Sequence, residues 1–272
     1  MINKNVKLVA VDMDGTLLDS EKNAPEDFES WVLAHPEIQT VLASGRQYAT
    51  LSDMFPSLSE CLMYVADNGS FVFKQGEMIY SNAMSDEDIR WCIEYFGAMP
   101  GLHLILCGAR AAYMKHASEL VEANGHMYYH SLEFVENLED CIGKDIIAKI
   151  AIFIEEYRAE EVYDSLSGIP ETIAPVLSGD SWIDVANKSV SKGSAMEAIQ
   201  QSLGVSREES MAFGDYLNDY DLLLSCGESY AMENAHPKLK GIAKHVTASN
   251  DEDGVMKILR QIPSSVEPPQ MQ

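Results

Sequence analysis

The sequence predicts an α/β protein with a parallel sheet and an inserted α+β unit. Short, nearly continuous apolar runs alternate with helix-like segments towards both ends of the chain. This alternation is typical of parallel strands that helices cover on both faces. Between residues 83 and 186, hairpin-like runs and helices are mixed instead. We therefore assign 1–82 and 187–272 to one discontinuous sheet domain, and 83–186 to the insertion.

The first segment contains the strongest strand signals. The pattern predicts strands at 6–11, 39–43 and 64–66, helices at 25–34 and from 46 through 51, and a hairpin arm at 71–73. Pro25 suits the first turn of its helix, because that position needs no backbone N–H. Asp67-Asn68-Gly69 is a strong turn signal between the third strand and the hairpin arm.

The insertion and the last segment follow in the same way. In the insertion, Ser85 caps an acidic helix start, and the other predicted elements are strands at 103–107, 112–114, 148–154 and 182–185 and a helix at 155–166. In the last segment the predicted elements are a helix from 191 to 203, a strand at 210–213, a helix at 218–226, a strand at 245–247 and a helix at 254–261.

Composition and charge limit the classes of partner. The 272 residues are 46% hydrophobic and 23% charged, which is ordinary for a globular protein. The chain carries 19 basic and 43 acidic residues, a net charge of -24. Nucleic acids and anionic membranes bind basic patches, so we expect neither as a partner. An anionic substrate would need its own positive groups within the site.

Cysteines and apolar runs bear on the location of the protein. The five cysteines are odd in number and form no C-x-x-C pair, which indicates reduced thiols rather than disulfides or a zinc site. The apolar run at 8–11 is too short for a signal-peptide core, and no run approaches membrane length. We therefore expect a cytoplasmic protein.

Four polar motifs follow predicted strands or open predicted helices. They are Asp12-Met13-Asp14-Gly15-Thr16, Ser44-Gly45-Arg46, Lys192, and Gly214-Asp215-Tyr216-Leu217-Asn218-Asp219. Ligands of open parallel sheets bind outside the carboxyl ends of the strands. The four motifs are therefore candidates for one common site.

These side chains together suit phosphoryl transfer. Asp12 and Asp14 lie two residues apart and can project to the same side of a strand end. Carboxylates crowded with Asp215 would repel unless a cation neutralised them, and Mg²⁺ is the usual ion where phosphate is also bound. Ser44 near a helix start and the positive charge of Lys192 suit anionic oxygens. A transferring phosphoryl group requires this combination of metal, lysine and hydrogen-bond donors.

The four motifs, in this order and with a large insert between the second and third, resemble the haloacid dehalogenase-like (HAD) superfamily, and in particular its Cof-type phosphatases. The resemblance spans almost the whole chain, including Glu252-Asp253-Gly254-Val255 near its end. It implies a Rossmann-like three-layer parallel-sheet core with an inserted α+β cap, 83–186, that closes over the site and selects the substrate.

The resemblance also implies a role for each motif residue. Asp12 would be the nucleophile that forms an aspartyl-phosphate, and Asp14 the general acid and base. Asp12, the backbone carbonyl of Asp14, and Asp215 would bind Mg²⁺. The phosphoryl oxygens would be held by Ser44, Lys192, the Met13 and Gly45 amides, and Asn218. Asp219 would support the phosphate and metal shell or orient Lys192.

Two residues of the motifs, and one close to Lys192, leave alternatives open. Tyr216 stands where the family often has a small residue, so it would narrow or decorate the edge of the site. Lys188 competes with Lys192 for the phosphate-binding role and ranks well behind it. Arg46 would contact substrate, solvent or a nearby carboxylate.

The expected activity is Mg²⁺-dependent hydrolysis of a small phosphomonoester, such as a sugar phosphate. A phosphomutase would use the same aspartyl-phosphate and return the group to a second hydroxyl. A receiver-like regulatory protein also combines acidic residues, Ser or Thr and Lys around Mg²⁺, but Asp14 and the long insertion argue against it. A binding protein that has lost the chemistry is disfavoured because every expected catalytic side chain is present.

Overall fold

The computed structural model describes residues 5–129 and 131–263, which form two compact units. One unit is Ser81–Val190, and the described residues on either side of it make up the other. The sequence predicts the limits of the insertion at 83 and 186, against 81 and 190 for this unit. No helix in the described ranges is both long and apolar enough to cross a membrane.

The regular elements are numbered here in chain order. The strands are β1 Leu8–Asp12, β2 Gln39–Ala43, β3 Leu62–Ala66, β4 Phe71–Lys74, β5 Glu77–Ser81, β6 Leu102–Gly108, β7 Ala112–Met114, β8 Leu132–Phe134, β9 Ile147–Ile154, β10 Ile173–Gly179, β11 Trp182–Asn187, β12 Ser210–Gly214, β13 Glu228–Ala231 and β14 His245–Val246. The helices are α1 Phe28–Ala34, α2 Tyr48–Met54, α3 Asp86–Gly97, α4 Glu119–Tyr128, α5 Ala159–Ser165, α6 Lys192–Leu203, α7 Tyr220–Leu224, α8 Pro237–Lys240 and α9 Gly254–Leu259.

The sheet of the discontinuous unit has the strand order β14-β13-β12-β1-β2-β3-β4-β5. Strand β1 pairs in parallel with β2 and with β12, and β3 continues the parallel run beyond β2. Every residue of β1 is buried, as expected for a central strand. On one face, Leu8 and Ala10 pack with Met196 of α6 and Leu222 of α7. This sheet confirms the predicted α/β class.

The inserted unit is a second sheet with the order β10-β11-β9-β6-β7-β8. Its pairs are antiparallel except for β7 with β8. One apolar cluster includes Ile89 of α3 and Ala159 of α5, and a second, separate cluster includes Val121 of α4. The unit is therefore an α+β structure with its own core. Its two ends lie together, since Asn82 Nδ2 donates to Ser189 Oγ at 3.0 Å.

Several predicted elements differ from the structure. The predicted helix at 218–226 is a 3₁₀ turn, Leu217–Asp219, followed by the short α7. The elements α4, α8, β5, β8, β10 and β13 had not been predicted from the sequence. Strand β10 lies at a sheet edge and is largely exposed, so it lacks the continuous apolar run that identifies the inner strands.

Candidate active site

Parallel pairing brings the polar motifs to one edge of the first sheet. Strands β1, β2, β3 and β12 run in the same direction, so their carboxyl ends share that edge. A pocket of about 390 Å³ opens there. It is lined by Asp12, Asp14, Ser44, Gly45, Arg46, Asn68, Asp215, Tyr216 and Asn218.

Lys192 lies beneath this pocket, fully buried at the start of α6. Its Nζ donates to Asp12 Oδ1 at 2.5 Å and to Asp219 Oδ1 at 2.6 Å. Burial alone would lower the pKa of Lys192, but the two carboxylates outweigh it and raise the pKa above its usual value. Lys192 is therefore a permanent positive charge at the base of the site.

Asp219 connects Lys192 to the loop after β12. Its Oδ2 accepts from the backbone amides of Asp215 at 3.0 Å and Tyr216 at 3.2 Å, while Oδ1 accepts from Lys192. Its side chain is fully buried. Of the two roles that the sequence left open for Asp219, these contacts favour orienting Lys192 and the loop.

Asp12 and Asp215 are the carboxylates most available to a cation. One oxygen from each of Asp12, Asp215 and Asp219 lies within 4.8 Å of the others. Both oxygens of Asp219 already accept hydrogen bonds. Asp215 accepts a hydrogen bond of 3.3 Å from Thr16. The donor set of carboxylate oxygens therefore fits a hard divalent ion such as Mg²⁺.

Electrostatics at these two carboxylates also fit a cation. Burial, together with the charge of Asp219, raises the pKa of Asp12 to about 7 despite the opposing effect of Lys192. Burial and Asp219 likewise raise the pKa of Asp215 to about 6. Both groups are thus costly to ionise in the protein alone, and a bound cation would stabilise their ionised forms.

Gly15 permits the close approach of Asp215. Its φ of 81° lies in the left-handed region, and a Cβ at this position would overlap the Asp215 carboxylate. Only glycine combines this conformation with the absence of a side chain. The chain can therefore turn sharply after Asp14 without displacing Asp215.

Asp14 is held by two cations. Arg46 forms a bidentate pair with it, Nη2 to Oδ1 at 2.5 Å and Nε to Oδ2 at 2.8 Å, and Lys22 Nζ reaches Oδ1 at 2.8 Å. Partial burial opposes ionisation, but the hydrogen bonds from Arg46 and Lys22 outweigh it and lower the pKa of Asp14. Of the three expectations for Arg46, the structure therefore shows the carboxylate contact. Lys22, on the exposed loop after the motif, had no signal in the sequence.

Ser44 and Gly45 lie in a loop rather than at a helix start. Ser44 lies between β2 and α2, as predicted for a strand-to-helix junction, but α2 begins only at Tyr48 with Gln47 as its N-cap, so Ser44 is not at the helix N-terminus. Ser44 is buried, and its Oγ accepts from the Arg46 amide at 3.2 Å. Within residues 5–129 and 131–263, the Gly45 amide has no hydrogen-bond acceptor.

The remaining predicted residues lie around the same pocket. The Met13 side chain is buried, directly after β1. Asn218 is exposed, and its Nδ2 donates to Asn68 Oδ1 at 3.1 Å. Tyr216 is 58% exposed at the pocket rim and packs edge-on against His236. Asn68 also lines the pocket, although the sequence had indicated only a turn at this position. Lys188 is exposed in the inserted unit.

Comparisons with known proteins agree with this architecture. The sequence profile of the haloacid dehalogenase-like hydrolases matches residues 9–259. The 5-amino-6-(5-phospho-D-ribitylamino)uracil phosphatase YbjI of Escherichia coli (strain K12) is 30% identical to the chain, covering 95% of the chain and 96% of that protein.

Two solved structures have the same fold. The crystal structure of TM0651 from Thermotoga maritima has a TM-score of 0.85 at 23% identity, covering 96% of the chain and 98% of that chain. The HAD subclass IIB sugar phosphatase BT4131 has a TM-score of 0.73 at 26% identity, covering 94% of the chain and 98% of that chain.

Proposed function

The chain belongs to the haloacid dehalogenase-like hydrolase family, and on that premise we propose that it is a Mg²⁺-dependent phosphatase of small phosphomonoesters. The observation that carries the proposal is the buried contact of Asp12 with Lys192, beside Asp215, at the base of a pocket. In this arrangement Asp12 is the nucleophile, Lys192 is the permanent cation, and Asp215 is a carboxylate that can bind the metal beside them.

In the first step, an Asp12 carboxylate oxygen attacks phosphorus. The bond between phosphorus and the ester oxygen breaks, its electron pair stays on that oxygen, and Asp14 donates a proton to the departing alcohol. Lys192 keeps its proton throughout and stabilises the negative charge at Asp12 and on the phosphoryl oxygens. The product of this step is an aspartyl-phosphate on Asp12.

In the second step, water attacks the phosphorus of the aspartyl-phosphate. Asp14 accepts a proton from this water, and inorganic phosphate leaves as the Asp12 carboxylate is restored. The ion pairs of Asp14 with Arg46 and Lys22 suit this second step, because they favour its ionised form. For the first step Asp14 must carry a proton, so the entering phosphoryl group has to compete for these two cations.

Asp12, Asp215 and the backbone carbonyl of Asp14 are the proposed Mg²⁺ ligands. When bound, the ion would neutralise the crowded carboxylates and withdraw charge from the phosphoryl group. Ser44, Lys192, Asn218 and the amides of Met13 and Gly45 are the proposed phosphate-binding groups. The Gly45 amide is suited to this role, since it has no acceptor in the described part of the chain. Asp219 has the supporting role that its contacts indicate.

The names of the relatives narrow the substrate class. YbjI is named for a phosphorylated ribityl compound, and BT4131 for sugar phosphates. We propose a sugar or polyol phosphate for this chain as well, with the inserted unit selecting it, and a cytoplasmic location.

The test is a screen of phosphomonoesters with Mg²⁺, run beside Asp12→Asn. We expect repeated turnover by the wild type and a loss of at least about 10³-fold in Asp12→Asn, because no nucleophile remains. Asp221→Asn, at an exposed position, is the matched control and should keep full activity.

Substantial activity in Asp12→Asn would contradict the assignment of the nucleophile. An isomer of the substrate without released phosphate would instead indicate a phosphomutase. A stable phosphoprotein without turnover would indicate a receiver-like protein.

A further inference from the structure

The turn after β3 has an unusual backbone. Asp67, Asn68 and Gly69 have φ values of 47°, 56° and 104°, all in the left-handed region. Residues with a Cβ are uncommon there, although Asn and Asp tolerate it best. Two such residues in succession persist only where the surroundings hold them, and positions of this kind cluster at binding sites.

Backbone contacts hold this turn against two of the site motifs. The Asp67 amide donates to the Arg46 carbonyl at 3.0 Å, and the Asn68 amide donates to the Ser44 carbonyl at 2.9 Å. On its other side, Gly69 lies so close to the Ser191 carbonyl that a Cβ would overlap it. The turn is therefore fixed between the Ser44–Arg46 loop and the start of α6, where Lys192 lies.

The side chain of Asn68 lies within the pocket. A Cβ on Gly45 would stand 3.2 Å from both Oδ1 and Nδ2 of Asn68, so the amide group covers Gly45 closely. Oδ1 accepts from Asn218 Nδ2 at 3.1 Å. In the described part of the chain, Nδ2 of Asn68 has no acceptor. Oδ1 of Asn68 is thus occupied by a hydrogen bond. Among the described residues, Nδ2 of Asn68 and the nearby backbone N–H of Gly45 both lack an acceptor.

We propose that Asn68 Nδ2 donates a hydrogen bond to a phosphoryl oxygen of the substrate, next to the oxygen that the Gly45 amide binds. The proposal rests on the proposed function, since it assigns a further binding residue to the same pocket. A neutral donor suits this position because it binds an anion without competing for the carboxylates nearby. Asn218 donates to Asn68 Oδ1, the oxygen that would otherwise repel the anion. This hydrogen bond leaves Nδ2 of Asn68 available to the phosphoryl group.

Two substitutions separate a direct contact from an indirect one. Asn68→Gly keeps the left-handed backbone accessible and removes the whole amide. Asn68→Asp keeps the size of the side chain and an oxygen that accepts from Asn218, but it turns a carboxylate towards the phosphoryl group. The probe is inorganic phosphate, measured as a competitive inhibitor of p-nitrophenyl phosphate hydrolysis and by the rise in melting temperature that it causes.

With a direct contact, we expect the phosphate inhibition constant to rise about tenfold in Asn68→Gly, as for the loss of one hydrogen bond to a charged group. In Asn68→Asp we expect a larger rise, about 100-fold, because like charges are brought together. KM should increase with the inhibition constant in both variants. Phosphate should also raise the melting temperature of both variants less than that of the wild type.

Two results would overturn the proposal. Unchanged phosphate binding in Asn68→Gly would show that the amide contributes nothing. Near-normal phosphate binding in Asn68→Asp, with weak binding in Asn68→Gly, would show that Asn68 acts only by positioning Asn218. The melting-temperature measurement needs no turnover, so it tests Asn68 even if the wild type hydrolyses no phosphomonoester and the proposed function fails.

Discussion

Lys192 is buried at a position that is unfavourable for a lysine on two counts. It begins α6, where the helix dipole is positive, and its side chain is removed from water. The carboxylates of Asp12 and Asp219 stabilise the ammonium group of Lys192 against both effects. One ammonium group does not fully neutralise two carboxylates, so the cluster keeps a net negative charge. Such a cluster is a poor source of stability compared with apolar packing. Its arrangement is better explained by the need for a fixed cation at the base of the pocket.

Removing Lys192 should therefore affect both stability and activity. In Lys192→Met, two buried carboxylates lose their partner, and we expect the free energy of unfolding at pH 7.5 to fall by about 3–5 kcal/mol. The loss should be smaller at pH 5, because burial raises the pKa of Asp12 to about 7 and this carboxylate can then take up a proton. Activity should fall by at least about 10²-fold. Denaturant unfolding at both pH values and steady-state kinetics measure these effects.

Lys188→Met is the matched control, because Lys188 is exposed and four residues away in sequence. Its stability should stay within about 0.5 kcal/mol of the wild type. Equal losses in the two variants would contradict the assignment of the phosphate-binding lysine.

The raised pKa values of Asp12 and Asp215 predict a pH-dependent response to Mg²⁺. Both groups have an ordinary value of 3.8, against about 7 and about 6 in the folded protein. At a pH between the unfolded and the folded pKa, Asp12 and Asp215 are protonated in the folded protein but ionised in the unfolded chain. The contribution of these two carboxyl groups to the stability of the metal-free protein therefore decreases as the pH rises from about 4 to about 7. Mg²⁺ needs the ionised forms, so the stabilisation it gives should increase over the same range.

Melting temperatures with Mg²⁺ and with a chelator, at pH 5 to 8, check this prediction. The difference between the two conditions should grow with pH in the wild type and be much smaller in Asp215→Asn. A difference that is independent of pH would count against Asp12 and Asp215 as metal ligands.

At the scale of elements, α6 positions Lys192 through its contact with α7. Gly193, the second residue of α6, faces the backbone of Asp221, and a Cβ would lie 2.6 Å from that backbone. The two helices can approach this closely only because the side chain is absent. The position of Lys192 therefore depends on a glycine that is not among the residues lining the pocket.

Gly193→Ala should separate α6 from α7. We expect a decrease of about 1–3 kcal/mol in the free energy of unfolding, as for overpacking, together with a lower kcat. The control is Gly97→Ala at the end of α3, where the added Cβ would meet no atom within 4 Å among the described residues, apart from its own helix backbone and chain neighbours. That variant should be neutral or more stable by up to about 1 kcal/mol. Thermal and denaturant unfolding distinguish the two, and a similar response of both would refute the packing argument.

The sequence predicted the inner strands and the motifs at their ends because both depend on simple rules. A buried parallel strand needs a continuous apolar run, and parallel strands end at a common edge. The contacts of Asp14 with Arg46 and Lys22 follow no such rule, since they depend on how a loop places long side chains. Asn68 was similarly missed, because a turn signal describes the backbone and not the direction of the amide.

At the scale of the whole molecule, the inserted unit has the features of an independent domain. The two apolar clusters described above are made of residues of this unit, and its ends are joined by the hydrogen bond between Asn82 and Ser189. We expect an isolated fragment, 81–190, to fold by itself.

Circular dichroism and thermal unfolding of this fragment test the expectation. The result should be a sheet-containing spectrum and a cooperative transition. A disordered spectrum would show that the insertion needs the rest of the chain in order to fold. Ile152→Ala, in the buried centre of β9, provides a control, since it should lower the transition temperature of the fragment and of the full chain alike.

The pairing of β1 with β12 also has a consequence for synthesis on the ribosome. Leu8 pairs with Ser210, so one edge of β1 stays unpaired while about 200 residues are translated. The inserted unit is complete before β12 appears, and domains generally fold as they emerge. Asp12 can meet Lys192 and Asp219 only after the second half of its sheet has been made. The proposed catalytic centre therefore assembles only after residue 219 has been translated, and chains released before that point lack Asp219, or both Lys192 and Asp219.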